Sequence, residues 1–184
     1  MTRQIQWDNN LRITGMVLNP VNPRVEHDLQ YSNKRIVFNR GDGYWQGSVT
    51  FGVVKDTDKV AAIESFFTAL NEGDCYTLLP IAEVKGASDG SARVRTIAGN
   101  SITLEGDKDI KLGSFWYHAD KEQVARAVVK DGVNLIMQPN ISWQVGDDIA
   151  AANHIRVRLN NAVNLSVTPH WAGGWTMTFT EWRS

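Results

Sequence analysis

The chain has one cysteine, Cys75, in 184 residues, which excludes an internal disulfide and any multi-cysteine zinc site. It has no surplus of charge of one sign: 19 basic against 20 acidic side chains leave a formal net charge of −1. Proteins that grip nucleic acid or an anionic membrane rely on excess Lys and Arg, so the expectation is no nucleic-acid and no membrane partner. No apolar run approaches the roughly 18 to 20 residues needed to span a bilayer. The first ten residues, MTRQIQWDNN, carry no apolar stretch of the signal-peptide kind. These absences predict a soluble protein made in a reducing cytoplasm.

What is present is β-rich patterning and tryptophan. Seven tryptophans in a chain of this length are unusual, and Trp serves both cores and contact surfaces. Trp45, Gly47, Val49, Phe51 and Val53 alternate with Gln46, Ser48 and Thr50, the period of a half-buried strand. Asp56, Thr57 and Asp58 then offer N-cap groups. Val60, Ile63, Phe66, Phe67 and Leu70 recur at three- and four-residue spacing, which predicts an amphipathic helix over about 57–71 with Gly73 as its stop.

Upstream, Leu11–Leu18 alternates as a strand that Pro20 and Pro23 are expected to end, and Ile36–Phe38 is a second short candidate. Residues 1–39 therefore read as an extended N-terminal arm. Downstream, short β-like pieces are separated by turns at Ala98-Gly99-Asn100 and Asp131-Gly132. Residues 85–149 read as an inserted small β-barrel-like lobe, and 40–84 plus 150–184 as a β core holding the helix. The final strand alternates Trp175, Met177, Phe179 and Glu181 with Thr176, Thr178, Thr180 and Trp182. The fold class expected is α+β, mainly antiparallel β, as a sandwich or small barrel with one helix.

Chemistry-bearing residues are sparse. His27, His118, His154 and His170 show no metal-ligand spacing, and solvated or loop positions explain them. Cys75 lacks a recognisable partner and reads as a small buried residue. Asp107 with Asp109, and Asp147 with Asp148, fall where turns favour aspartate. The segment Gly86–Gly90 lacks the lysine of a phosphate loop, and Arg40-Gly41-Asp42 is explained by a tight turn. No enzyme activity, cofactor or metal is expected. The aromatic groups Trp171-Ala172-Gly173-Gly174-Trp175, Trp182 and Phe115-Trp116-Tyr117 read either as core or as contact surface. The consecutive Phe115-Trp116-Tyr117 cannot all face one side of a strand, so one face must be covered by another part of the chain or by a neighbour.

The run Arg40-Gly41-Asp42-Gly43-Tyr44-Trp45-Gln46-Gly47-Ser48-Val49-Thr50-Phe51, the helix Ala61–Phe67 and the segment Asn71–Pro80 resemble a group of tailed-bacteriophage tail proteins. Gly113-Ser114-Phe115-Trp116, the Gln123-Val124-Ala125-Arg126 strand, Gln138-Pro139, Gly146-Asp147 and the closing Gly174–Glu181 strand continue the likeness. It covers about Arg40 to Trp182. The resemblance implies a distal-tail or baseplate ring subunit of a long-tailed phage, linking tail tube to hub and receptor-binding protein. It implies a homo-oligomeric ring, a hexamer or another multiple of three, located at the virion tail tip, and it brings no catalytic residues. Candidate interface residues are Trp7, Pro20, Pro23, Trp116, Trp171 and Trp175. Two other classes stay open: a carbohydrate-binding module stacking sugars on Trp171, Trp175 and Trp182, and a small hydrolase using Cys75 or a histidine.

Overall fold

A computed structural model describes residues 2–28, 35–39, 41–72, 74–82, 89–107, 110–160, 167–168, 171–172 and 175–183; for 25–28, 35–39, 107, 167–168 and 171–172 it describes the backbone alone. The fold is mainly antiparallel β with a single α-helix among the described residues. The chain divides into two compact units: the first from Met1–Asn19, Gln46–Ser88 and Ala152–Ser184, the second from Pro20–Trp45 and Asp89–Ala151.

The first unit is built on a six-stranded sheet. Its strands are β1 (Arg3–Ile5), β2 (Ile13–Val21, whose last two residues count with the second unit), β5 (Tyr44–Phe51, whose first two residues count with the second unit), β6 (Cys75–Pro80), β13 (His154–Leu159) and β16 (Thr176–Glu181). The order across the sheet is β1-β6-β13-β16-β5-β2, with β1 parallel to β6 and β6-β13-β16-β5 antiparallel. The short strands β14 (Val167–Thr168) and β15 (Trp171–Ala172) pair with each other in the same unit.

The helix α1 (Thr57–Asn71) starts where Asp56 accepts hydrogen bonds from the Asp58 and Lys59 amides, at 3.1 and 3.4 Å. Those amides have no partner inside the helix, which is why a carboxylate there is stabilising. Its five expected apolar residues, Val60, Ile63, Phe66, Phe67 and Leu70, are all buried. They pack the helix on β6, β13 and β1, where Leu79, Ile155 and Val157 are also buried. Each such side chain contributes roughly 1.5–3 kcal/mol by leaving water. The last helical residues run to a C-cap at Glu72; the expected stop at Gly73 lies outside the described residues.

The second unit closes a barrel from β7 (Ser91–Ala98), β8 (Ser101–Leu104), β9 (Phe115–His118), β10 (Gln123–Asp131), β11 (Asn134–Gln138) and β12 (Asp148–Ala151). Around the barrel the order is β10-β11-β8-β7-β12-β9. Gly99 and Gly132 turn β7 into β8 and β10 into β11, both with φ near +60°, a region that glycine enters without a Cβ clash. The interior holds Val94, Ile102, Leu135, Met137, Trp143 and Ile149, and Trp116 joins them. On the other side of β9, Phe115 packs against Trp45 at 5.6 Å, so the consecutive aromatics are covered on both faces within the unit. Buried Gln123 ties the loops together: its amide donates to the Asn140 carbonyl at 2.7 Å and its Oε1 accepts from the Ser142 amide at 3.1 Å. The ribbon β3 (Arg24–Asp28) and β4 (Arg35–Asn39) also belongs to this unit.

The extended-arm expectation for residues 1–39 is overturned. β1 and β2 are sheet strands, Ile5, Leu11 and Met16 are buried, and 20–39 count with the second unit. Pro20 does not end its strand, because β2 is an edge strand running to Val21, and a proline at an edge removes no ladder bond. Gly47 shows why β2 lies where it does. A Cβ there would overlap the Val17 carbonyl oxygen and crowd Phe179, so only glycine allows that approach. Val53 is exposed, because β5 ends at Phe51.

Candidate functional site

The most distinctive surface lies on the first sheet. In β6 and β13 the register pairs Ile155 with Leu79, Arg156 with Leu78 and Val157 with Thr77. Side chains alternate across a sheet. Thr77, Leu79, Ile155 and Val157 are buried beneath the helix, while Tyr76, Leu78, Arg156 and Arg158 are half-buried on the opposite face. The chain end adds Trp182, whose amide donates to the Arg156 carbonyl at 2.9 Å.

There Trp182 stacks on Tyr76, with ring centroids 4.5 Å apart and planes at 10°. The Arg156 guanidinium lies 5.7 Å from the Tyr76 ring centroid, and that of Arg158 lies 5.9 Å from Trp182. The four side chains form a ladder: arginine, tyrosine, tryptophan, arginine. Tyr76 Oη donates to Gln4 Oε1 at 3.0 Å, and Arg158 pairs with Asp74. Stacking and each cation–π contact are worth about 0.5–1.5 kcal/mol. Beside the ladder the same face is hydroxyl-rich: Thr50 and Thr176 approach to 3.3 Å, and Thr180 donates to Asn160 at 2.7 Å.

Of the candidate interface residues, Trp7 and Trp175 both pack against Phe51 in the first unit, while Pro20, Pro23 and Trp116 belong to the second. Trp7 is half-buried between Phe51, at 6.0 Å, and Phe66, at 5.7 Å. Pro20 is exposed near the end of β2, and Pro23 is half-buried just after it. Two are corrected outright. Trp116 is 3% exposed inside the barrel with its Nε1 donating to Ser114 Oγ, and Trp175 is 5% exposed against Phe51 and Phe67. The Trp171 side chain lies outside the described residues. A sugar platform of Trp171, Trp175 and Trp182 therefore loses Trp175 to the core. Trp182 belongs to the surface, and the mark that could have found the ladder was Arg156 and Arg158 alternating with Ile155 and Val157. The Tyr76 partner depends on cross-strand register, which sequence does not carry.

His118 also departs from its expected loop position. It is 4% exposed, at the end of β9. Its Nδ1 accepts from the Lys121 amide at 3.3 Å, which leaves the proton on Nε2, and Nε2 lies 2.7 Å from Asp147 Oδ2, although its N–H does not aim straight at that oxygen. Burial works to raise the Asp147 pKa. The Gln144 amide, at 2.6 Å, together with His118 and Lys121, outweighs it and holds the carboxyl below 3.8. The Lys121 amide occupies Nδ1, and Nε2 faces the Asp147 carboxylate. Asp148 faces outward, bonded to Arg93, which lowers its pKa.

His154 is exposed; the His27 side chain and all of His170 lie outside the described residues, as do 83–88 and 108–109. Cys75 is half-buried rather than buried. Among the described residues no group of three or more His, Cys, Asp or Glu could hold a metal ion, and no helix is long and apolar enough to cross a membrane. A comparison with known proteins finds no family model and no curated sequence that matches the chain.

Proposed function

We propose that this chain is a non-catalytic assembly subunit of a long-tailed phage tail tip, a distal-tail or baseplate ring component joining tail tube, hub and receptor-binding protein. The observation that carries the assembly reading is the half-exposed ladder Arg156–Tyr76–Trp182–Arg158. Tyr, Trp and Arg are the residues most enriched at the centre of protein interfaces, because each buries a large area while fixing few torsions or offering directed donors. The address at a tail tip rests on the sequence resemblance over Arg40 to Trp182.

A carbohydrate-binding module is the weaker reading. Each ring of the stacked pair carries the other ring and a guanidinium, which leaves little bare face for the C–H groups of a sugar. Light scattering and sedimentation on the purified protein, with purified tail tubes added in a second series, test the proposal. The expected result is a discrete oligomer, six copies or another multiple of three, that joins tube ends. Monomer at every concentration, with no attachment to tubes, overturns it.

A further inference from the structure

In the first unit, one face of the β1-β6-β13 region is covered by α1 and the other carries the ladder. The outer face of α1 is itself patterned. Asp58, Ala61, Ala62, Ser65, Thr68 and Glu72 are all exposed, and the 58-61-65-68-72 spacing puts them on one stripe of the helix. The stripe carries small side chains along its middle and is acidic at both ends, with exposed Glu64 along one edge beside Ala61 and Thr68. The ladder has the inverse pattern: two flat rings in the middle and a guanidinium at each end.

We infer that the ladder docks the outer stripe of α1 from a second copy of this chain, with the small residues of the helix lying on Tyr76 and Trp182 and the acidic ends meeting Arg156 and Arg158. The inference rests on the assembly reading and names its interface. The sizes are compatible. The ladder has steps of 5.7, 4.5 and 5.9 Å. Asp58 and Glu72 are roughly 21 Å apart along the helix at about 1.5 Å per residue. The Glu72 side chain leans toward the helix N-terminus and shortens the difference.

Charge argues for the same occupant. The only basic residue of α1, Lys59, is held by Asp56 at 3.5 Å, so the stripe presents its carboxylates without a cation among them. Arg158 keeps donors beyond those engaged by Asp74, since a guanidinium has five N–H groups. The ladder and the stripe lie on opposite sides of one sheet. A contact between them is head-to-tail: it cannot be satisfied within a two-fold dimer and propagates until a rotation closes a ring.

The test uses two complementary full-length variants, Arg156→Glu/Arg158→Glu on the ladder and Asp58→Lys/Glu72→Lys on the helix, each checked for folding by thermal melting. Sedimentation velocity across a concentration series is the readout. Each variant alone should associate roughly tenfold more weakly or worse than wild type, because a like charge is set against its partner. A one-to-one mixture should recover wild-type association, since every ladder in an alternating ring then meets a helix of opposite charge. Wild-type association by either variant alone, or a mixture that stays dissociated, overturns the docking while leaving tube attachment to judge the assembly reading separately. Binding of a glycan array or a single-stranded oligonucleotide that Trp182→Ala abolishes, with self-association unchanged, overturns it as well by giving the ladder another occupant. A wild type that neither associates nor joins tubes removes both proposals.

Discussion

The two units solve the same problem, a sheet with an apolar face, in different ways. The second unit curls six of its strands into a barrel, so the apolar faces meet one another and that sheet has no edge. The first leaves its sheet open, covers one face with α1 and keeps two edges, the three-residue β1 and the proline-bearing β2. Short edges and prolines limit unplanned strand pairing. A closed barrel consumes its aromatics: Trp116, Trp143 and Phe115 are all buried. The open sheet has a second face to spend, and the ladder is on it. The contact chemistry therefore follows from how each sheet is closed.

The largest expected effects come from emptying each core in turn. Phe67→Ala removes the ring that meets Phe51, Phe66 and Trp175 under the first sheet. Trp116→Ala removes one of the two tryptophans of the barrel interior together with its bond to Ser114. Each should cost about 3–5 kcal/mol. Native-state hydrogen exchange decides whether the units are separate cooperative blocks. If they are, Phe67→Ala accelerates the amides of β13 and β16 and spares β10 and β11, and Trp116→Ala does the reverse. Uniform acceleration by either would merge the two units into one.

Next comes the open edge. Gly47→Ala sets a methyl group against the Val17 carbonyl, and backbone cannot move aside as a flexible side chain can. A loss of about 1–3 kcal/mol is expected from such overpacking. The damage should appear as fast exchange of the β2 amides, with the barrel unaffected. An unchanged β2 would mean that the edge strand is not held by this close approach.

Much of this was legible in the sequence, and the failures share a cause. The helix was readable because its signals are local: Asp56 at the cap and five apolar residues at helical spacing. The two barrel turns were readable for the same reason, since Gly99 and Gly132 mark their φ directly. The arm was misread because Asn and Pro near 19–23 suit both a loop and an edge strand, and only the partner strand distinguishes them. Trp116 and Trp175 were misassigned because an indole suits core and surface equally. Tyr76, Trp182, Arg156 and Arg158 come from three separate parts of the chain, and they meet through a register that only folding supplies.

Within the barrel, two adjacent aspartates give a smaller and sharper contrast. Asp147 turns in toward His118. Asp147→Asn removes the charge that His118 and the Gln144 amide were placed to meet, and about 1–3 kcal/mol should be lost. The sign with pH follows from the lowered pKa: the Asp147 contribution is complete above the ordinary carboxylate range and disappears as pH falls below 3.8 through the folded value. Denaturation followed from neutral pH into acid should show that part of the acid sensitivity vanish in the variant. Equal sensitivity in both proteins would assign it elsewhere.

Asp148 turns out, and the smallest effect belongs there. It is the cross-strand partner of Arg93 where β12 meets β7, and the guanidinium makes two bonds to its carboxylate, at 2.9 and 3.1 Å. The pair sits on a strand contact without which the barrel would be open, so it has the look of a clasp. Its exposure argues otherwise: 51% for Arg93 and 72% for Asp148 leave both groups in water, where the attraction is screened and holding two side chains still consumes what remains. Arg93→Ala should therefore raise the Asp148 pKa toward 3.8, visible by carboxyl NMR titration, and leave thermal stability at neutral pH unchanged. The neighbouring ladder bonds, such as Val94 N–H to the Asp147 carbonyl at 2.9 Å and Gly146 N–H to the Val94 carbonyl at 2.8 Å, are backbone and survive the substitution. A marked drop in melting temperature would show that closure depends on the ion pair, and the barrel would then have a side-chain seam where the open sheet of the first unit has none.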